Sequence, residues 1–311
     1  MFDIFASRKY SFEQIPDLTG KIAIITGSNT GIGKVCAFEM AKKNCTVILA
    51  CRNKEKSEAV VEQIKSETGN QNVDFIQINL LKLASIKAFV DAFLSRYQQL
   101  DILINNAGVM MPPFGLSEDG IEQQFATNHV AHHLLTLLLL PTLQQSSDAR
   151  IVNVSSMGHR IPFRRLDLHS ISDPKKYNRI VHYAKSKACN ILFTRELARR
   201  LEAQGIQNVF VNTNHPGAVS TELYRYTPSF ATYILRSLVL ITPEDGALTQ
   251  LYLATSPEIK EKQIRGQFYV PYGVPSQPGG VAASADAPLE LWEFTEALIK
   301  EKVASYEGAP I

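Results

Sequence analysis

KIAIITGSNTGIGKVCAFEMAKKN, residues 21–44, opens on a continuous apolar run, passes glycines at 27, 31 and 33, and ends in a helical pattern. The run IAII lacks polar alternation, which suits a strand buried on both faces. GKVCAFEMAKKN reads as a helix. A strand that turns through glycines into a helix lets backbone approach a phosphate, and the helix N-terminus adds unpaired N–H groups and a positive dipole end. The three glycines are spaced more widely than G-x-G-x-x-G, so the loop alone reads equally well as a plain turn.

Outward from this stretch the alternation repeats. TVILACR, VDFIQINL, LDILINNAG, ARIVNVSS, VFVNTNHPG and GQFYVPYG read as strands, and helical patterns fill the intervals. Two of those helices are long: 120–143, with the apolar run HHLLTLLLLPTL, and 181–205. Strands alternating with helices predict an α/β fold with a doubly wound parallel sheet of about seven strands, a single Rossmann-type domain. No linker, repeat or low-complexity block divides it. Residues 1–17 read as an N-terminal extension and 18–311 as the domain, closed by a polar loop and a C-terminal helix.

Composition bounds the function. The 311 residues are 45% hydrophobic and 20% charged, an ordinary globular balance. Against 32 basic residues stand 30 acidic ones, a net charge of +2 that gives no footing for a nucleic-acid partner. Cys36, Cys45, Cys51 and Cys189 form no C-x-x-C pair, and a reducing, cytoplasmic setting is expected. The N-terminus has neither a signal-peptide core nor an apolar span.

Four further motifs favour a nucleotide over a plain turn. NNAG (105–108), NVSS (153–156) and NHPG (214–217) each end a strand, and YAKSK (183–187) lies on the helix after NVSS. Open α/β sheets bind ligands outside the carboxyl ends of their strands. With the T-G-x-x-x-G-I-G loop, these motifs stand in the order found in the short-chain dehydrogenases/reductases, and residues 18–273 resemble that family. ILACRN, NHVAHHLLT, YAKSKACNILFTRELARRL and HPGAVSTEL are similar to its retinol dehydrogenase-like branch, which includes reductases related to protochlorophyllide reductase.

The resemblance implies a hydride transfer between a nicotinamide cofactor and a carbonyl or alcohol. Tyr183 and Lys187 lie four apart, on one helical face. A free phenol titrates near ~10, and a nearby ammonium favours the phenolate, so the pair can serve as general acid and base. Alone, Y-x-x-x-K reads better as two surface residues on an amphipathic helix. A hydroxyl from NVSS would donate to the substrate oxygen. Alternation along the strand admits only one of Ser155 and Ser156 to the site, and family alignment favours Ser156. Asn128 matches an asparagine that supports a water relay to the lysine; its alternative is a helix-terminus or kink residue. His129, His132 and His133 lie near one helical face without a neighbouring acid or thiol, and hydride transfer needs no metal, so they are expected to be packed or hydrogen-bonded and no metal is expected.

Cofactor contacts carried over from the family fall on Gly27, Ser28, Asn29, Thr30, Gly31, Ile32, Gly33, Asn79, Leu80, Asn106, Ala107, Gly108, Tyr183, Lys187, Pro216, Gly217, Val219 and Thr221. At the end of the second strand no acid stands before Glu55, whereas Arg52, Lys54 and Lys56 do. An acid there would bind the 2′-hydroxyl of NAD, and arginine can fork onto a 2′-phosphate. NADP is therefore expected, with Arg52 as its anchor; a solvated basic turn is the alternative. Residues 222–243 are rich in Tyr, Phe, Leu and Ile and would cover a lipophilic carbonyl or alcohol substrate or touch a membrane surface peripherally. A homodimer could form through the helices of Asn128 and Tyr183, or those helices could be buried within one chain. The competing functional readings are a catalytically silent nucleotide sensor or scaffold and a tailoring reductase of secondary metabolism.

Overall fold

A computed structural model describes residues 10–219 and 241–311. Its elements in chain order are β1 (Ile22–Thr26), α1 (Gly31–Lys42), β2 (Thr46–Cys51), α2 (Lys54–Thr68), β3 (Val73–Gln77), α3 (Leu83–Leu94) and β4 (Ile102–Asn105). A short helical turn (Gln123–Phe125) and a π-helical stretch (Ala126–Val130) lead into α4 (Ala131–Leu143). Then follow β5 (Ala149–Val154), α5 (Arg179–Ala203), β6 (Val209–Asn214), α6 (Pro243–Thr255), β7 (Phe268–Val270), β8 (Val274–Ser276) and α7 (Ala287–Lys302).

One sheet runs β3-β2-β1-β4-β5-β6-β7-β8. Its first seven strands pair in parallel, and β8 pairs antiparallel with β7. The parallel α/β architecture agrees with the sequence expectation. The eighth strand does not appear in it, because Gly273 and Pro275 punctuate the segment as a loop. An edge strand tolerates proline where a central one does not, and Pro275 sits opposite Tyr269 at the sheet's rim.

Alternate residues of the inner strands feed two cores. Ile24, Ile48 and Ala50 face the helices α3, α4 and α5, among Phe89, Leu134 and Phe193. Ala23, Ile25, Val47 and Leu49 face α1 and α6, among Met40, Ala247 and Leu251. This period of two explains why the strand runs are apolar at every position. HHLLTLLLLPTL is buried along almost its whole length in the first core. Tyr10, Ile15 and Leu18 are buried in the second core, so residues 10–17, read from sequence as an extension, pack onto the domain. All four cysteines are buried and unpaired. No helix among the described residues is long and apolar enough to cross a membrane.

Candidate active site

The loop after β1 shows why its glycines are needed. Gly27 and Gly31 hold φ of 65° and 56°, conformations that L side chains rarely adopt. A Cβ on Gly33 would lie 2.5 Å from Asn106 Nδ2 and 2.6 Å from the Gly27 carbonyl oxygen, so only glycine lets α1 approach the sheet this closely. Thr30 is the N-cap of α1, and its side chain caps none of the first-turn N–H groups. Those donors face outward with the positive end of the helix dipole behind them, the environment a pyrophosphate takes. Ser28 is buried; its backbone N–H donates to Cys51 Sγ (3.2 Å) and its hydroxyl to the Ile25 carbonyl (2.8 Å).

The other expected cofactor residues stand along the same carboxyl edge. Arg52 is exposed just past β2, and its guanidinium enters no ion pair among the described residues. Asn79 and Leu80 follow β3, where Asn79 Oδ1 accepts the Leu81 N–H. Asn106, Ala107 and Gly108 follow β4. Pro216, Gly217 (φ 98°) and Val219 follow β6. Thr221 and the expected substrate cover, as far as residue 240, lie outside the described residues.

Sequence reasoning missed the residue that joins two of these loops. Thr26 Oγ1 accepts the backbone N–H groups of Asn106 (3.0 Å) and Ala107 (2.9 Å), while Asn106 Nδ2 donates to the Thr26 carbonyl (2.9 Å). The Thr26 hydroxyl proton is then left for His132 Nε2, 2.9 Å away. His132 Nδ1 donates to the Asn128 carbonyl at 3.2 Å. Burial pushes the His132 pKa down to about 4, in keeping with a neutral ring that accepts on one side and donates on the other. The sequence signal existed as a T-G pair and a histidine four residues past Asn128, but their contact spans 106 positions.

Asn128 lies within the π-helical stretch, a distortion often found at functional sites. Its Oδ1 accepts the Val109 N–H (2.8 Å), and its Nδ2 donates to the Val109 carbonyl (3.0 Å) and to Ser186 Oγ (2.9 Å). A Cβ on Gly108 would lie 3.2 Å from Asn128 Oδ1 and 3.4 Å from Lys187 Nζ, so these two groups flank the end of the NNAG segment. Lys187 Nζ donates to the Val154 carbonyl (3.0 Å) and stands 5.9 Å from the centre of the Tyr183 ring. Burial alone lowers the Lys187 pKa to about 8.

The two serines part ways. Ser155 is buried and its hydroxyl donates to the Lys187 carbonyl (2.7 Å). Ser156, half-buried, N-caps a 3-10 turn (Met157–Arg160), and its Oγ accepts the Gly158 N–H at 3.0 Å. With that lone pair occupied, its proton remains to be given elsewhere. A Cβ on Gly158 would lie 3.1 Å from Tyr183 Cε1 and 3.4 Å from Ser156 Oγ, so phenol ring and hydroxyl border the same glycine. Tyr183 is 7% exposed. The structure thus brings Tyr183, Lys187, Ser156 and Asn128 together from α5, the end of β5 and the π-helical stretch.

The remaining histidines of NHVAHH turn away from this cluster. His129 Nε2 hydrogen-bonds Thr295 Oγ1 (3.0 Å), and His133 Nε2 donates to Glu296 Oε1 (2.8 Å), both on α7.

Comparison with known proteins identifies the family. The sequence model of the short chain dehydrogenases matches residues 21–230. Retinol dehydrogenase 11 of Homo sapiens is 45% identical over 76% of this chain and 73% of its own. The crystal structure of an uncharacterized protein from Mycobacterium paratuberculosis superposes with a TM-score of 0.74 at 33% identity, covering 94% of this chain and 97% of the other. A short chain dehydrogenase from Escherichia coli CFT073, complexed with NADPH, gives a TM-score of 0.64 at 25% identity over 82% of this chain and 98% of the other. The chain belongs to the short-chain dehydrogenase family, and it is a nicotinamide-dependent oxidoreductase acting on alcohol and carbonyl groups.

Proposed function

We propose that the protein is an NADP(H)-dependent reductase or dehydrogenase of a lipophilic carbonyl or alcohol, with Tyr183 as general acid and base. The observation that carries this reading is the convergence of the Tyr183 ring and Ser156 Oγ on Gly158, and of Lys187 and Asn128 on Gly108. The residues along the carboxyl edge would hold a nicotinamide cofactor, which when bound would supply the hydride in reduction and take it in oxidation. Ser156 donates a hydrogen bond to the substrate oxygen, where negative charge grows in the transition state. Tyr183 gives its phenolic proton to that oxygen, and in the reverse direction its phenolate removes the alcohol proton. Lys187 favours the phenolate, and we assign it the further task of holding the nicotinamide ribose. Asn128 fixes the Val109 backbone and, through Ser186, the helix that carries Tyr183 and Lys187.

The preference for the 2′-phosphorylated cofactor rests on Arg52 standing at the end of β2 with no acid before Glu55. The retinol dehydrogenase relative supports a lipophilic substrate, and the site requires no metal. Self-association, where it occurs, uses a surface other than the middle of α5: Trp292 of α7 stacks there on Phe193, with ring centres 5.8 Å apart.

Tyr183→Phe tests the assignment. NADPH oxidation should be followed with a panel of lipophilic aldehydes and ketones that includes all-trans-retinal. The variant is expected to lose turnover by about 10²–10⁴-fold while still binding NADPH, read as nucleotide fluorescence. Turnover retained by the variant would overturn the role of Tyr183. Absence of turnover in the native protein on every compound would favour a nucleotide sensor.

A further inference from the structure

The turn that carries Ser156 is held from behind by a buried imidazole. His159 Nδ1 lies 2.6 Å from the Ser156 carbonyl oxygen, and its Nε2 lies 3.2 Å from the backbone nitrogen of Gly279. A carbonyl can only accept and an amide N–H can only donate, so the ring is neutral, protonated at Nδ1 and bare at Nε2. Its edge packs on Phe268 of β7, with ring centres 5.1 Å apart and planes at 78°. The next residue repeats the attachment, since Arg160 Nη2 donates to the Gln277 carbonyl at 2.6 Å. Two consecutive side chains therefore latch the Met157–Arg160 turn onto residues 277–279, just beyond β8.

We infer that His159 is a positioning residue that fixes the place of the Ser156 hydroxyl beside Tyr183 by holding Ser156's own carbonyl, with residues 277–279 as its anchor. The inference rests on the assignment of Ser156 to the substrate oxygen proposed above. Ser156 is bonded through its Oγ to Gly158, within the same turn, so nothing in that bond fixes the turn to the rest of the molecule. The imidazole supplies that connection. Removing it leaves the Gly279 N–H without its acceptor and the Ser156 carbonyl with the His159 backbone N–H alone, and loosens the turn relative to the Tyr183 ring. Displacements near 1 Å are enough to lower a rate steeply.

Three substitutions separate positioning from packing. Asparagine places a donor where Nδ1 stands, glutamine places its amide where Nε2 stands, and phenylalanine keeps the ring but neither bond. His159→Phe is expected to lower kcat by about 10- to 100-fold with NADPH affinity within about twofold of native. His159→Gln, which restores the bond to Gly279, should recover most of kcat, and His159→Asn, which restores only the bond within the turn, little of it. Amide hydrogen exchange at Gly158, measured on the protein without nucleotide, should quicken in the Phe and Asn variants and return toward native in the Gln variant. Native kcat and native Gly158 protection in His159→Phe would overturn the inference, as would a Gln variant no better than Asn. Should His159→Phe fail to fold, judged by lost NADPH binding, the Asn and Gln pair decides alone. If the native protein turns over no carbonyl, the exchange at Gly158 still decides the positioning claim, and only the redox reading falls.

Discussion

Lys187 concentrates the chemistry of the site into a single charge. It is 3% exposed, and burial lowers its pKa from 10.5 to about 8. An unfolded chain keeps the proton up to 10.5, so between about 8 and 10.5 the unfolded state binds more protons and stability rises with pH. Below about 8 the cost of the buried ammonium is fully present. The proposed mechanism makes the opposite demand, because it relies on the charged form of Lys187 beside the Tyr183 ring. We predict that kcat/KM for NADPH, which reports the free enzyme, descends on an alkaline limb with an apparent pKa near 8. A profile that stays flat between pH 7 and 10 would remove the charge from the mechanism. The four-residue spacing made this pair legible in the sequence, and the strand-end serines were legible as a pair. Thr26, His132 and His159 were not, since each acts through a partner between 80 and 120 positions away that no local pattern reveals.

At the level of elements, the C-terminal helix shows what burial of polar groups requires. Glu296 of α7 accepts from His133 Nε2 and from the Tyr306 hydroxyl on Oε1, and from the Ala309 N–H on Oε2, each at 2.8 Å. Burial opposes its ionisation, yet these three donors hold the carboxyl below the usual carboxylate range. One side chain thereby ties α7 and the C-terminal residues to α4. Glu296→Ala leaves His133 and Tyr306 without their acceptor and is expected to cost about 1–3 kcal/mol for each buried donor left unsatisfied, read as a lower urea midpoint with an unchanged slope. Loss of less than about 1 kcal/mol would show the cluster to be no stronger than a surface pair. The helices and inner strands of this architecture were legible because short, continuous apolar runs alternate with helical patterns along the chain. The π-helical stretch was legible only as the kink alternative for Asn128, and β8 not at all, because Pro275 marks a loop wherever a strand is assumed to lie inside a sheet.

Across the whole molecule, the order β3-β2-β1-β4 sends the chain to opposite sides of β1, and the loops after β1, β2 and β4 diverge around one crevice. Sequence predicts that crevice in kind, since ligands bind where the strand order reverses, but which loops adjoin follows from the pairing of β1 with both β2 and β4. On the proposed reading the β1 loop would offer the pyrophosphate donors, and β2, paired beside β1, would lie on the side of the adenosine ribose. Arg52 therefore stands where a 2′-phosphate would arrive, and it need not break an ion pair with any described residue to meet it. A ligand that binds only the folded state stabilises it by about 2.7 kcal/mol at one hundred times its Kd, so thermal unfolding reads cofactor choice without a substrate. NADPH should raise the midpoint more than NADH at equal concentration. Arg52→Ala should lose about 1.5–3 kcal/mol of NADPH binding, the worth of a charge-assisted hydrogen bond, roughly a 10- to 150-fold rise in Kd. NADH binding should be unchanged, because its ribose carries no phosphate for the guanidinium to grip. Equal weakening of both nucleotides would mean that Arg52 supports the β2 turn rather than reading the phosphate, and no weakening of either would return it to the role of a solvated surface charge.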